Sequence, residues 1–242
     1  MNSVETLANI IKNSNYVVFF TGAGASTDSG LADFRGKNGL YNERKFMGYE
    51  PEEILSHDFF FLHRDIFNKY LTEKLSINNI KPNNGHLAIA KLEEMGKVKA
   101  VITQNIDNLH QDAGSKKVLE LHGTLKRWYC LKCGKTSDKD FICECGGVVR
   151  PDVTLYGEML NEKVTSEAIR EIEKADTLII VGTSLTVYPA AYYIEYFKGK
   201  NLIILNETPT SRDDIATLVI RERFAQVMTE VMNILGSVTT NG

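Results

Sequence analysis

Four polar side chains leave the end of one apolar run together. Val98 to Ile102 reads as a buried parallel strand, and Thr103, Gln104, Asn105 and Asp107, with Ile106 among them, follow at once. In an open α/β sheet, ligands bind at the carboxyl ends of the strands. A cluster of amides and a carboxylate there is poorly explained by packing and reads as the floor of an active site. A second reactive group is His122, which ends another short apolar run and has Gly123 behind it. An imidazole at a strand end is suited to general-base work near neutral pH. The other histidines have plainer readings. His57 and His63 fall in an aromatic-rich segment as surface or core-edge residues, His86 starts a helix as a cap partner, and His110 supports the floor from a helix.

The four cysteines, Cys130, Cys133, Cys143 and Cys145, make the most specific chemical signal. Two knuckles, Cys-x-x-Cys and Cys-x-Cys, offer four thiolates to one tetrahedral zinc. With no histidine nearby and no fifth cysteine, the site is expected to be closed and structural. Gly22-Ala23-Gly24-Ala25-Ser26 follows an apolar run at Val17 to Phe20. A strand, a glycine turn and a helix start can cradle a diphosphate, although the same turn serves equally as a plain connection. Asp33-Phe34-Arg35 suits a flap over a cofactor, with Arg35 for phosphate, or a solvated loop. Thr183, Ser184 and Asn206 end two later strands, where each could bond a ribose or phosphate or cap a helix.

The elements that must position these groups alternate. Helices are expected at Asn2 to Asn15 (with Asn2 and Glu5 as a capping box), Asn84 to Met95, around Val164 to Ala175, at Pro189 to Phe197 and from Phe224 to a stop at Gly236. Strands are expected at Val17 to Phe20, Val98 to Ile102, Val118 to Leu121, Thr177 to Val181 and Asn201 to Leu205. Such alternation implies βαβ units and a parallel sheet. Gly36 to Pro82 shows no clear strand and reads as a helical insertion, mobile near Gly36 to Gly48; the tail after Gly236 is expected to be disordered. A composition of 43% hydrophobic and 24% charged residues in 242 is that of a soluble globular chain. The net charge of −3 gives no global basic field, so nucleic acid is not expected. The apolar runs, about five residues long, are too short to span a bilayer. The N-terminus lacks the basic start and apolar core of a secretory leader, and a cytoplasmic protein is expected.

Taken in order, the motifs resemble those of the sirtuins, NAD-dependent protein lysine deacylases. They are Gly22-Ala23-Gly24-x-Ser26, Asp33-Phe34-Arg35, Thr103-Gln104-Asn105-Ile106-Asp107, His122-Gly123, the four cysteines, Arg150-Pro151-Asp152, Gly157-Glu158, Gly182-Thr183-Ser184 and Pro189-Ala190-Ala191. The resemblance runs from about residue 4 to 235 and is greatest to the compact bacterial members. It implies an α/β fold: a Rossmann-like parallel sheet domain with a small lobe made of a zinc-binding module and a helical module. The implied organisation is a discontinuous NAD-binding domain at 1–35, 84–125 and 150–242, a helical module with the cofactor loop at 36–83, and a zinc module at 126–149. NAD as co-substrate and an acyl-lysine peptide, held as an extended strand, would meet in the cleft between the lobes. The acyl oxygen attacks the anomeric carbon of the nicotinamide ribose, and nicotinamide leaves. Attack by a ribose hydroxyl, helped by the histidine, and then water give lysine and O-acyl-ADP-ribose. An ADP-ribosyltransferase using the same cleft is the alternative, and the sequence gives no oligomeric state.

By the same resemblance, His122, Asn105 and Asp107 are the catalytic residues, with Asp107 accepting from the nicotinamide carboxamide. Ala23, Thr27, Phe34, Arg35, Gln104 and Ile106 line the cofactor pocket. Thr183, Ser184, Asn206 and Ile220 match the adenosine side. Gly157-Glu158 and Val187-Tyr188 match the strands that sandwich the substrate. The chain departs from the family in having Leu31-Ala32 where Ile-Pro is usual, which frees the loop backbone, and in the short gap between Cys143 and Cys145. Phe67-Asn68-Lys69-Tyr70-Leu71 lacks the Tyr and Arg, three apart, of members that prefer acidic acyl groups. Acetyl or another neutral acyl chain is therefore expected.

Overall fold

The two strands at the middle of the sheet are built on the apolar runs Val-Val-Phe-Phe and Leu-Ile-Ile-Val, and every residue of each is buried. The computed structural model describes residues 2–33, 39–42, 45–137 and 141–239. Its main sheet contains β1 (Val17–Thr21), β2 (Val98–Thr103), β3 (Val118–Glu120), β6 (Thr177–Val181), β7 (Asn201–Leu205) and β8 (Leu218–Ile220), in the order β3-β2-β1-β6-β7-β8. All five pairings are parallel. The order reverses between β1 and β6, the place where a doubly wound sheet opens a crevice.

The period of two along β1 divides the core. Val17 and Phe19 face α1 (Ser3–Asn13), α5 (Asn84–Glu94) and α8 (Phe224–Thr239). Val18 and Phe20 face α7 (Glu162–Lys174) and a 3₁₀ segment at Ala190–Tyr196. Between β1 and α5 come three short helices, α2 (Pro51–Ile54), α3 (His57–Leu62) and α4 (Arg64–Glu73), and α6 (Leu109–Asp112) follows β2. The cysteine segment hangs from an antiparallel hairpin, β4 (Gly123–Cys130) with β5 (Val149–Val153). Phe59, Phe60, Phe67 and Tyr70 from the helices share one core with Leu125, Trp128, Val149 and Leu155, so helices and hairpin form one lobe. Arg150, buried in that lobe, makes a two-pronged ion pair with Glu158 at 2.5 and 2.9 Å and sits over the Phe60 ring.

The Asn2–Glu5 capping box is present in both directions. Three expectations need amendment. The glycine turn opens a 3₁₀ segment, Ala23–Ser29, closed by Gly30 with φ +91°, rather than an α-helix. Pro189 likewise precedes 3₁₀ geometry. α8 runs through Gly236 to Thr239 instead of stopping there. Gly236 is exposed with open space around it, so its propensity cost of about 1 kcal/mol is all that opposes the helix. β8 and the hairpin strands are too short or too polar to stand out in the sequence. The mobility expected near Gly36 to Gly48 falls partly on 36–38 and 43–44, and the disordered tail on 240–242, outside the described residues.

The loops after β1 and β6 meet backbone to backbone. Gly24 donates its N–H to the carbonyl of Gly182 at 2.8 Å. Gly182 has φ +61°, and a Cβ there would lie 2.2 Å from the Ala25 nitrogen. Gly96 also has positive φ, at +73°, but open space around it. Gly182→Ala should therefore cost on the order of 3 kcal/mol or more, from clash added to strain. Gly96→Ala should cost only about 1–2 kcal/mol, from strain alone. Urea unfolding followed by circular dichroism compares them, and equal losses would mean that the loop contact yields.

Candidate functional site

The reversal between β1 and β6 opens a cleft of about 660 Å³, within the range of ligand pockets. Loops after β1, β2, β6 and β7 line it from the sheet side, through Gly22, Ala23, Gly24, Thr27, Gln104, Asn105, Ile106, Thr183, Ser184 and Asn206. Val153 to Glu158, with Leu55 and Tyr41, line it from the small lobe. Val187 and Tyr188 also border it.

Asn105 is set by three bonds. Its backbone N–H donates to Thr103 Oγ1 at 3.0 Å, and its side-chain Nδ2 donates to the Gly22 carbonyl at 3.0 Å and to Ser26 Oγ at 3.1 Å. With both amide hydrogens committed, Asn105 offers the cleft an acceptor, Oδ1. Gln104 is equally constrained. Its N–H donates to the Thr21 carbonyl at 2.9 Å, and its side-chain Nε2 reaches across to Thr183 Oγ1 at 3.2 Å.

His122 joins β3 to β4. Its Nδ1 lies 2.9 Å from the carbonyl oxygen of Gln104, which can only accept. Nδ1 therefore carries the proton, and Nε2 is left with a free lone pair. Burial lowers the pKa of the ring, partly countered by the Gln104 carbonyl, so the neutral form prevails at pH 7. The His122 carbonyl accepts from the Thr154 N–H at 2.9 Å. Gly123 follows with φ +74°, and a Cβ there would strike the Asp152 carbonyl oxygen at 1.9 Å. Only glycine lets the hairpin close this tightly behind the imidazole.

Asp107 lies under the floor and is absent from the cleft lining. Its carboxylate accepts from Ser26 Oγ at 2.6 Å and from the Leu109 N–H at 2.9 Å. Burial raises its pKa while these two donors work against that rise. Ile220 is likewise away from the cleft, packed in the core, where its carbonyl accepts from the Asn206 N–H at 3.1 Å. Glu222 and Phe224 reach the cleft from that side instead. The Asn206 amide donates to the Thr208 carbonyl at 2.7 Å, and Thr27 donates to the Gly24 carbonyl at 3.0 Å. Phe34 and Arg35 lie outside the described residues. Sequence reasoning missed Tyr41 and Tyr156, whose hydroxyls meet at 2.8 Å on the cleft rim. Their only signal was aromatic character beside the glycine-bounded loop and Gly157.

The four cysteine sulfurs all lie within 4.8 Å of one another. Cys130 to Cys145 is 3.5 Å and Cys133 to Cys143 is 3.7 Å. Tetrahedral zinc with Zn–S near 2.3 Å requires sulfurs about 3.8 Å apart, so the residues fit the ion. Gly147 has no Cβ to strike Cys130 Sγ, which would lie 2.5 Å away. The N–H groups of Cys133 and Lys132 favour the Cys130 thiolate. One zinc per chain is expected by elemental analysis. Stripping it with a chelator should lower Tm by about 5 °C or more, since a closed site contributes to folding; an unchanged Tm would contradict a structural ion.

The comparisons with known proteins agree with this geometry. Residues 22–189 match the Sir2 family. An NAD-dependent protein deacetylase of Fusobacterium nucleatum is 63% identical over 93% of this chain and 90% of its own. One from Clostridium perfringens is 50% identical over 96% and 99%. A solved complex of Sir2, a p53 peptide and NAD+ superposes with a TM-score of 0.85 at 38% identity, covering 98% of this chain and 99% of that one. A site built at the sheet reversal, a lobe with four clustered thiols and relatives matched over nearly their whole length lead to one assignment: the chain belongs to the Sir2 family.

Proposed function

We propose that this chain is an NAD-dependent protein lysine deacylase that acts on acetyl and other neutral acyl groups. The observation that carries the reading is the neutral His122 with Nε2 bare, in a cleft floored by the Asn105 acceptor, in a chain this close to named deacetylases. The cleft fits a dinucleotide: it opens where the strand order reverses, its first loop brings glycine backbone to the surface, and hydroxyl and amide side chains line the far end.

NAD, when bound, supplies the ADP-ribosyl acceptor for the acyl group and the nicotinamide that departs. The protein's part is positional and basic. Ala23, Thr27, Gln104, Ile106, Thr183, Ser184 and Asn206 are the proposed cofactor contacts, and Phe34 and Arg35, which lie outside the described residues, join them by the family resemblance alone. Asn105 Oδ1 accepts a hydrogen bond from a ribose hydroxyl or a water. His122 Nε2 takes a proton from a hydroxyl brought to it. Asp107 works from beneath, holding Ser26 and through it the Asn105 amide. The peptide is held as an extended strand between Gly157-Glu158 and Val187-Tyr188, a mode that relies on main-chain bonding. Cys130, Cys133, Cys143 and Cys145 hold the zinc. A cytoplasmic setting belongs to the same reading, supported by cysteines clustered for a metal rather than paired in disulfides.

Among the described residues no Lys or Arg lines the cleft, whereas Asp33, Glu158, Glu207 and Glu222 do. An acidic acyl group would meet no described counter-charge. Acetyl-lysine peptides should be turned over with kcat/KM about tenfold or more above succinyl-lysine peptides, a difference of about 1.4 kcal/mol; equal efficiency would refute the neutral preference. Mass spectrometry should detect O-acyl-ADP-ribose, and a mass gain on the protein instead would mark ADP-ribosyl transfer. His122→Ala should lower the rate by about 10²-fold or more, and retained turnover would remove His122 as the base. The base works unprotonated and its pKa is depressed below 6.5. Activity should hold down to that pH and decline only on its acid side; a decline centred above 6.5 would contradict the burial argument.

A further inference from the structure

A row of buried polar groups runs beneath the cleft floor without reaching the cleft. His110, in α6, is 1% exposed, and its Nε2 lies 3.0 Å from Thr21 Oγ1. Thr21 ends β1 and donates its hydroxyl hydrogen to Thr103 Oγ1 at 2.9 Å. Thr103 ends β2, and the same oxygen accepts the Asn105 N–H at 3.0 Å. The chain fixes a tautomer. The one hydroxyl hydrogen of Thr21 is committed to Thr103, so Thr21 meets His110 as an acceptor, and His110 carries its proton on Nε2.

Asn105 needs this support for a simple reason. The β-ladder ends at Thr103, and Gln104 uses the last ladder acceptor, the Thr21 carbonyl. The next N–H, that of Asn105, has only a side-chain oxygen to meet it. A threonine hydroxyl rotates freely unless a partner holds it. An apolar side chain at position 110 would fill the space but leave the Thr21 oxygen without its donor, at the cost of an unmet buried polar group. The ring is held from behind as well. His86 stacks edge-on against it with centroids 4.7 Å apart. His86 Nδ1 accepts from the Asn83 N–H at 3.3 Å, while Asn83 Nδ2 donates to the Ala25 carbonyl at 2.9 Å. The support beneath the floor is thereby continuous with the glycine loop.

We infer that His110 is a positioning residue, which through Thr21 and Thr103 fixes the backbone at Asn105 and so the direction of the Asn105 acceptor in the cleft. The inference rests on the deacylase reading for the part Asn105 plays. The test cuts the relay without touching the cleft. Thr103→Val, with Thr21→Val as a second cut should the first fail to fold, removes a hydroxyl at nearly constant volume. His110→Leu removes the donor, and His110→Gln returns an N–H at the same reach. Thr103→Val and His110→Leu should lower kcat on an acetyl-lysine peptide about tenfold, given the cost of small misplacements. KM for NAD and for the peptide should change less than about threefold, because uniform binding is untouched. His110→Gln should recover most of kcat although it is no more stable than His110→Leu in urea. A folded Thr103→Val protein with wild-type kcat, or Gln and Leu variants equally slow, overturns the relay. Nitrogen-15 spectra of the wild-type imidazoles give a measurement independent of turnover: an Nε2-protonated His110 supports the relay and an Nδ1-protonated one overturns it. A wild-type protein inactive on every acyl peptide sinks the deacylase reading and the role of His110 together, whereas an active wild type with indifferent variants sinks the second alone.

Discussion

The hydroxyl of Ser26 holds the site together. It donates to the buried Asp107 carboxylate and accepts from the Asn105 amide, so the loop after β1 and the loop after β2 share one oxygen. A carboxylate at 6% exposure is costly unless its lone pairs are met. Ser26 and the Leu109 N–H meet them, and separating the loops would take the Ser26 donor away and leave the Leu109 N–H alone against a buried carboxylate, a cost that holds the two loops together. The Gly24–Gly182 contact extends the same fixity to β6, so three of the four loops that line the sheet side of the cleft are tied to one another before any ligand arrives.

The small lobe reaches the site by a different route. Its core joins α3 and α4 to the hairpin, and the hairpin's far end carries the cysteine cluster. Its near end carries Val153 to Glu158 along the cleft, anchored by the buried Arg150–Glu158 pair. Burial alone would raise the pKa of Glu158, but the guanidinium and the Leu155 N–H hold it below the usual carboxylate range. The side of the cleft proposed to hold peptide is therefore anchored by the Arg150–Glu158 pair at one end and continues at the other into the hairpin whose cysteines would hold the zinc.

Much of this was legible in the sequence because polar residues at strand ends have no packing explanation. Gln104, Asn105 and His122 stand out on that ground and the four cysteines by their spacing, and Val17 to Phe20 and Thr177 to Val181 declare themselves as strands. What was hidden is instructive. The type of Asp107 marks it as a site residue, but its depth depends on where Ser26 falls, 81 positions away. Ile220 matched a family position, yet β8 is three residues long and its inward side chain is set by the sheet register. Nothing in the sequence pairs Arg150 with Glu158, because the turn that brings them together has no periodicity to read. Gly236 reads as a helix stop by type, although an exposed glycine in open space opposes a helix only weakly.

The place of His122 in the chain has a mechanical consequence. It is the residue at which β3, in the large sheet, gives way to β4, in the small lobe. Its ring is tethered to Gln104 on one side, and its carbonyl to Thr154 on the other. His122 thus belongs to both lobes at once: the loop after β2 positions its ring, and its backbone is bonded to the stretch that continues as the cleft wall at Val153 to Glu158, so the proposed base and the proposed peptide wall share one backbone hydrogen bond.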